Sequence, residues 1–103
     1  MTTKRAQPKP IPPAVLERTA RVLRVLAHPH RLKIIELLAE RKLSVGEVAQ
    51  RVGIAPNACS QHMNILRAHG VLSSDRSGKV RFYRVEDPNA LNVLSCIRKH
   101  ASS

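Results

Sequence analysis

The sequence predicts an α+β fold, mainly α-helical, with about five helices and one β-hairpin. Three observations lead to this prediction. Apolar residues recur at helical spacing in several segments, most of which are bounded by proline or glycine. Two β-favouring runs on either side of a glycine-containing turn follow the fourth of these segments. The chain has 103 residues, a length at which one domain is expected.

The charge of the chain favours a polyanionic partner. Lys and Arg number 18 against 7 Asp and Glu, which gives a net charge of +11. Nucleic acid is the commonest partner for such a surplus. An anionic membrane surface is the alternative, but no segment approaches the roughly 20 apolar residues that span a bilayer. Phe82 and Tyr83 are the only aromatic residues, and single-strand binders stack bases on several rings, so double-stranded DNA is preferred.

Residues 1–12 are basic and rich in proline. This composition predicts a disordered or extended arm before a domain over residues 13–103. The arm lacks the apolar stretch of a secretory signal. Two cysteines do not make a disulfide framework, so a reduced, cytoplasmic setting is expected.

Two helices are predicted between the arm and residue 41. Pro13 suits the first turn of a helix that the His28-Pro29 pair ends. A second helix, over about residues 30–41, is apolar nearly all round. The basic residues of both helices are interpreted as solvent-facing charge: Arg18, Arg21, Arg24, Arg31 and Lys33.

The third and fourth helices match a helix-turn-helix. Ser44 and Glu47 form a capping-box pattern at the start of the third helix, which stops at Gly53. The fourth helix begins near Pro56 and ends at Gly70, which suits a left-handed cap. Two short helices joined by about three residues are typical of this motif.

A hairpin and a last helix complete the domain. Residues 71–73 and 80–85 favour strands on either side of a turn over residues 76–79. Asp87-Pro88 then starts a helix with apolar residues at helical spacing. The apolar faces of the first and last helices need burial that a second copy of the chain would supply.

A stripe of polar residues runs along the fourth helix. Asn57, Ser60, Gln61 and Asn64 fall at i, i+3, i+4 and i+7, so they share one face. Asn and Gln can form paired hydrogen bonds with adenine, and Ser can serve several base edges or phosphates. A solvated surface is the alternative, but the basic hairpin that follows favours insertion into a DNA groove.

The hairpin is strongly basic, with Arg76, Lys79, Arg81 and Arg84 opposed only by Asp75. Such cations neutralise phosphates, which gives affinity and salt dependence but little sequence preference. Protection of an edge strand is a compatible alternative. The predicted hairpin contacts to the DNA backbone or minor groove are Arg76, Lys79, Arg81 and Tyr83. Phosphate contacts at the edges of the third and fourth helices are expected from Ser44 and Arg67.

The segments LAHPHRLKIIELL, SVGEVAQRVGIAPNACSQHMNILRAHGVL and SGKVRFYRV together resemble the ArsR/SmtB family of winged helix-turn-helix repressors. The resemblance covers about residues 20–86. It implies a homodimer built on the first and last helices, with two recognition helices in successive major grooves of a palindromic operator. Half-sites would then lie about 34 Å, or one helical turn, apart. The expected function is sequence-specific repression by promoter occlusion.

The sequence departs from this family at its sensing positions. Metal-responsive members carry C-x-C near the start of the third helix, where this chain has Leu43, Ser44 and Val45. In the last helix, Cys96 and His100 form an i, i+4 pair that can bind zinc but supplies only two ligands. No cofactor is therefore predicted, and a small-molecule, metal or redox inducer stays open.

Three residues in or next to the fourth helix, the predicted recognition helix, are not assigned to DNA contact. Ala55 stands where the family usually has a Ser or Thr N-cap, which removes a side-chain acceptor. Cys59 is interpreted as a core residue, with a Cys59–Cys96 disulfide as the redox alternative. His62 is expected to support the helix by packing or hydrogen bonding.

Catalysis is not predicted, because Cys59, Ser60 and His62 lie within one helical turn and do not face each other as a triad requires. Two alternatives to sequence-specific regulation remain. One is a non-specific architectural DNA binder, for which the net charge alone would suffice. The other is a protein-interaction module that uses the winged fold without nucleic acid.

Overall fold

Five helices and three strands follow one another along residues 8–101, the part of the chain that the computed structural model describes. They are α1 (Pro13–Leu26), α2 (Pro29–Glu40), β1 (Leu43–Ser44), α3 (Val45–Val52), α4 (Pro56–Ala68), β2 (Leu72–Ser77), β3 (Val80–Val85) and α5 (Pro88–Ala101). The predicted α+β, mainly α architecture is confirmed. Of the predicted arm, residues 1–7 lie outside the described residues, and residues 8–12 are exposed without helix or strand.

Four helices, α1, α2, α4 and α5, begin with a proline. Proline is favoured there because the first helical position needs no amide hydrogen and its backbone torsion is already helical. In α2, Pro29 takes this position, so the helix starts one residue earlier than predicted. His28 caps it, since its Nδ1 accepts a hydrogen bond from the backbone N–H of His30 at 3.0 Å.

The helix-turn-helix has the predicted caps. Ser44 Oγ accepts from the Glu47 amide at 3.2 Å, and Glu47 Oε1 accepts from the Ser44 amide at 2.9 Å. The capping box is therefore complete. The hydrogen bonds from Ser44 lower the pKa of Glu47, because they favour its charged form. Gly53 ends α3 with φ of 83°, a left-handed conformation that a side chain would strain.

The core lies between the helices and one face of the sheet. Its fully buried members come from α2, α3, α4, α5 and the residue before β2: Ile34, Ile35, Val48, Cys59, Met63, Leu66, Val71 and Ala90. Leu72 of β2 and Tyr83 of β3 belong to the same core, which joins the hairpin to the helix-turn-helix. Within the described chain, no helix is both long enough and apolar enough to cross a membrane.

The sheet contains one strand more than predicted. Its order is β1-β3-β2, and both pairings are antiparallel. β1 has only two residues, Leu43 and Ser44, opposite Tyr83 and Phe82, too short for an alternating pattern in the sequence. β2 extends to Ser77, because pairing with β3 overrides the weak strand preference of its polar residues. A two-residue turn with φ of 64° at Gly78 closes the hairpin.

The capping box gives a direct test of the α3 start. Ser44→Ala should lower the free energy of unfolding by about 1 kcal/mol, because the amide of Glu47 loses its acceptor. Ser44→Asp should restore most of that loss, since aspartate caps as well as serine. Urea denaturation of both variants against the unsubstituted protein measures the difference. Equal midpoints for Ser44→Ala and Ser44→Asp would contradict this role.

Candidate nucleic-acid interface

Helix α4 turns one face into the core and the opposite face outward. Cys59, Met63 and Leu66 are each 0% exposed. Burial of such side chains contributes about 1.5–3 kcal/mol each, so together they fix the rotation of the helix about its axis. The stripe predicted for DNA lies on the remaining surface. Asn57, Gln61 and Asn64 are exposed, and Ser60 is half-buried at the edge of the stripe.

The stripe residues differ in the hydrogen-bonding groups that they leave available. Asn57 Oδ1 accepts from the backbone N–H of Ala58 at 3.0 Å. It thereby supplies in the first turn an acceptor that Ala55, the N-cap residue, lacks. Within residues 8–101, the side-chain amides of Gln61 and Asn64 make no hydrogen bond. These two residues therefore keep both the donor and the acceptor that paired recognition of adenine needs.

His62 supports α4 from the side away from the stripe, as the sequence predicted. Its Nδ1 accepts from Arg31 Nε at 3.1 Å, and Arg31 Nη1 donates to the Val25 carbonyl at 3.0 Å. Burial lowers the pKa of His62, and electrostatic interactions with His28, Arg31 and His30 lower it further. The interpretation of Arg31 as solvent-facing charge is wrong, because this half-buried side chain links α1, α2 and α4.

The tip of the hairpin carries cations without carboxylate partners. Arg76 lies directly opposite Arg81 across the two strands, and Lys79 occupies the turn. Arg81 Nη1 donates to Ser74 Oγ at 2.9 Å. In the described part of the chain, none of the three cations makes an ion pair. Their charge is therefore uncompensated and available to a polyanion.

Near the base of the hairpin, carboxylates offset the positive charge. Arg84 pairs with Asp75 and, at 3.5 Å, with Glu86. Lys42 approaches the same Asp75 carboxylate at 3.9 Å. These exposed pairs contribute little stability, since solvent screens them. They do distinguish Arg84, whose charge is offset by carboxylates, from the three cations at the tip.

Tyr83 is the exception among the predicted contact residues. Only 6% of it is exposed, and it packs in the core where β3 pairs with Leu43 of β1. A side chain in this position cannot reach DNA, so its predicted contact is wrong. Arg81 shares the same face of β3 but lies nearer the turn, where the strand has left the core. Ser44 and Arg67 remain accessible at the ends of α3 and α4, half-buried and exposed respectively.

The cysteines and the predicted metal candidates lie apart. Cys59 is buried beside Met63 Sδ at 3.6 Å, and burial raises the pKa of its thiol. These contacts support the interpretation of Cys59 as a core residue. Cys96 and His100 are exposed on α5, and residues 8–101 bring no third ligand to them. Instead, His28, His30 and His62 come together, a convergence that the sequence alone did not reveal.

Comparisons with known proteins bear on the family and the fold of this chain. A family described as "Helix-turn-helix domain" matches residues 26–75. The HTH-type transcriptional regulator Rv0081 of Mycobacterium tuberculosis (strain ATCC 25618 / H37Rv) is 38% identical over 81 residues, which cover 78% of this chain and 71% of that protein. The biofilm growth-associated repressor of Xylella fastidiosa (strain Temecula1) is 35% identical, with 76% and 68% covered.

One of the solved structures that resemble this chain is a homodimer. The homodimeric winged helix-turn-helix DNA-binding domain Mb0332 from Mycobacterium bovis, called "a possible ArsR-family transcriptional regulator", superposes with a TM-score of 0.75. It is 27% identical, and the match covers 86% of this chain and 82% of that one. The winged helix-turn-helix architecture predicted from the sequence is thereby confirmed.

The role of the hairpin tip in DNA binding can be tested by removing a single charge. Arg81→Gln should weaken binding to any DNA duplex and lower the slope of log K against log salt by about one, the effect of losing one phosphate contact. Lys33→Gln is the matched control, because Lys33 lies on α2 and pairs with Glu36 at 2.8 Å. Fluorescence anisotropy over a salt series measures both slopes. Identical slopes for the two variants would exclude Arg81 from the interface.

Proposed function

Because this chain belongs to the ArsR/SmtB family of winged helix-turn-helix transcriptional regulators, we propose that it represses transcription by binding a palindromic operator as a homodimer. One observation supports this proposal above all others. The outward stripe on α4, with the free amides of Gln61 and Asn64, lies on a helix that leads directly into a hairpin with an uncompensated cationic tip. Base recognition and phosphate attraction are thus supplied by adjacent elements.

Within the stripe, Gln61 and Asn64 are proposed to contact base edges in the major groove. Each can offer a donor and an acceptor to one adenine. Asn57 offers its amide hydrogens while its oxygen caps the helix, and Ser60 can serve a base edge or a phosphate. Specificity is therefore assigned chiefly to the middle of α4.

Phosphate contacts surround this base-reading segment in the proposed complex. Arg76, Lys79 and Arg81 would follow the backbone or the adjacent minor groove, and Ser44 and Arg67 would bind phosphates at the helix ends. Such contacts give affinity and orientation but carry little sequence information. A purely architectural DNA binder would need only these cations. The uncommitted amides of α4 favour the specific regulator.

The dimer is proposed to form through α1 and α5. Both helices leave large apolar side chains uncovered, with Leu16 52%, Leu23 47%, Leu91 41% and Ile97 42% exposed. A second copy would bury them and place two α4 helices on one side of the duplex. Successive major grooves on that side are about 34 Å apart. Occupying both would cover a promoter, and the proposed site of this activity is the cytoplasm.

Selection from a random duplex library tests specificity. The protein should enrich an inverted repeat whose half-sites are centred about 10 base pairs apart. On that sequence, Gln61→Ala or Asn64→Ala should each cost about 1–3 kcal/mol and relax the preference at one position per half-site. Asn89→Ala, an exposed amide on α5, is the matched control and should bind normally.

Two results would overturn the specific assignment. If no sequence is enriched and the affinity ratio of selected to scrambled DNA stays near unity, the architectural alternative is favoured. If Gln61→Ala and Asn64→Ala bind the selected sequence as tightly as Asn89→Ala does, the stripe on α4 does not read bases.

The oligomeric state is tested separately. Leu23→Glu should convert the dimer to a monomer, because a charge would replace an exposed apolar side chain in the proposed contact. Sedimentation velocity measures the mass, and circular dichroism checks that the helices persist. A Leu23→Glu protein that sediments with the mass of the unsubstituted protein would exclude α1 from the dimer contact.

A further inference from the structure

Three histidines from two separate parts of the sequence meet at the start of α2. His28 precedes the helix, His30 lies in its first turn, and His62 reaches them from the middle of α4. One ring nitrogen from each lies within 4.8 Å of the other two. The ring centroids are 4.5 Å apart for His28 and His62, and 5.2 Å apart for His28 and His30. Within residues 8–101, no other cluster of three metal-binding side chains occurs.

We propose that His28, His30 and His62 form a binding site for a divalent transition-metal ion such as Zn²⁺, Co²⁺ or Ni²⁺. The donor set is the observation that points to these metals, because imidazole suits Zn, Cu, Fe and Ni, whereas Mg²⁺ and Ca²⁺ prefer oxygen. Three histidines with a water in a fourth position make a known type of zinc environment. The proposed metal is independent of the DNA-binding function and is tested without DNA.

The spacing of the rings is compatible with closure on a metal ion. Metal–nitrogen bonds of about 2.0–2.1 Å hold two ligand nitrogens closer together than 4.8 Å. His30 has the most freedom to move inward, since its side chain makes no hydrogen bond within the described residues and only its backbone N–H donates to the His28 cap. A rotation of this exposed ring would bring its nitrogen toward the other two.

Metal binding must replace two hydrogen bonds that now hold the rings. His28 Nδ1 accepts from the His30 amide and His62 Nδ1 accepts from Arg31, so a neutral ring carries its hydrogen on Nε2 in each case. A metal that takes Nδ1 displaces these donors. A metal that binds Nε2 requires the ring hydrogen to move to Nδ1. Because a protonated Nδ1 can no longer accept a hydrogen bond, the present donor must then turn away. Either route exchanges the Arg31–His62 contact for metal coordination.

The site is also distinct from the cysteine–histidine pair on α5. His62 belongs to α4, whereas Cys96 and His100 are exposed near the end of the chain. Substitutions can therefore separate the two candidate sites cleanly. The backbone N–H of His30, which donates to the His28 cap of α2, is retained in any His30 variant except proline.

Cobalt titration of the untagged, chelator-treated protein tests the site. Co²⁺ should produce visible d–d absorption at a stoichiometry of one per chain, and Zn²⁺ should displace it while Mg²⁺ should not. His30→Ala and His30→Gln should each weaken Co²⁺ binding at least tenfold, the loss that outer-shell substitutions alone can cause. Cys96→Ser and His100→Ala are the controls and should bind Co²⁺ normally.

Proton NMR then identifies the ligands directly. Paramagnetic Co²⁺ should shift or broaden the ring protons of His28, His30 and His62 first, ahead of those of His69 and His100. The proposal is overturned if Co²⁺ does not bind, if Cys96→Ser or His100→Ala abolishes binding, or if both His30 variants bind as the unsubstituted protein does. Circular dichroism of the His30 variants should show unchanged helix content. Because these experiments use no DNA, their outcome does not decide whether the protein binds DNA.

Discussion

Packing of Cys59, Met63 and Leu66 into the core holds α4 in one rotation, and the remaining features of the interface depend on that rotation. A half-turn of the helix would bury the amides of Gln61 and Asn64 and expose three apolar side chains. The loss would be several kcal/mol, since each apolar side chain contributes about 1.5–3 kcal/mol when buried. The hydrogen bond from Arg31 to His62 holds the flank of the same helix. The proposed recognition surface is thus a consequence of core packing.

The charge pattern of the hairpin adds a second level of organisation. Asp75 and Glu86 compensate Arg84 near the base, while Arg76, Lys79 and Arg81 remain uncompensated at the tip. The tip projects beyond the core, as the 45% exposure of Val80 shows. Positive charge without a carboxylate partner is therefore concentrated at the end of the hairpin. If a metal ion binds the three histidines, it does so on the flank of α4 where His62 lies.

Local patterns predicted much of this arrangement. Helical spacing identified the stripe and the buried face of α4, and the Ser44 and Glu47 pattern predicted the capping box that forms. What local patterns could not supply was position relative to the core. Alternation along β3 places Arg81 and Tyr83 on one face, but it does not reveal that the core ends between them, so the contact predicted for Tyr83 was wrong. The hydrogen bond from Arg31 to His62 and the contacts of His62 with His28 and His30 join residues more than 30 apart.

The central claim is that two outward stripes on α4 enter successive major grooves on one side of a duplex. Hydroxyl-radical footprinting on the selected operator, combined with methylation of guanine N7 in the major groove, tests this geometry most directly. Two protected regions should appear on the same side of the DNA, with centres about 10 base pairs apart and with major-groove N7 atoms protected in both. A single protected region, or uniform protection with every guanine N7 still reactive, would contradict it.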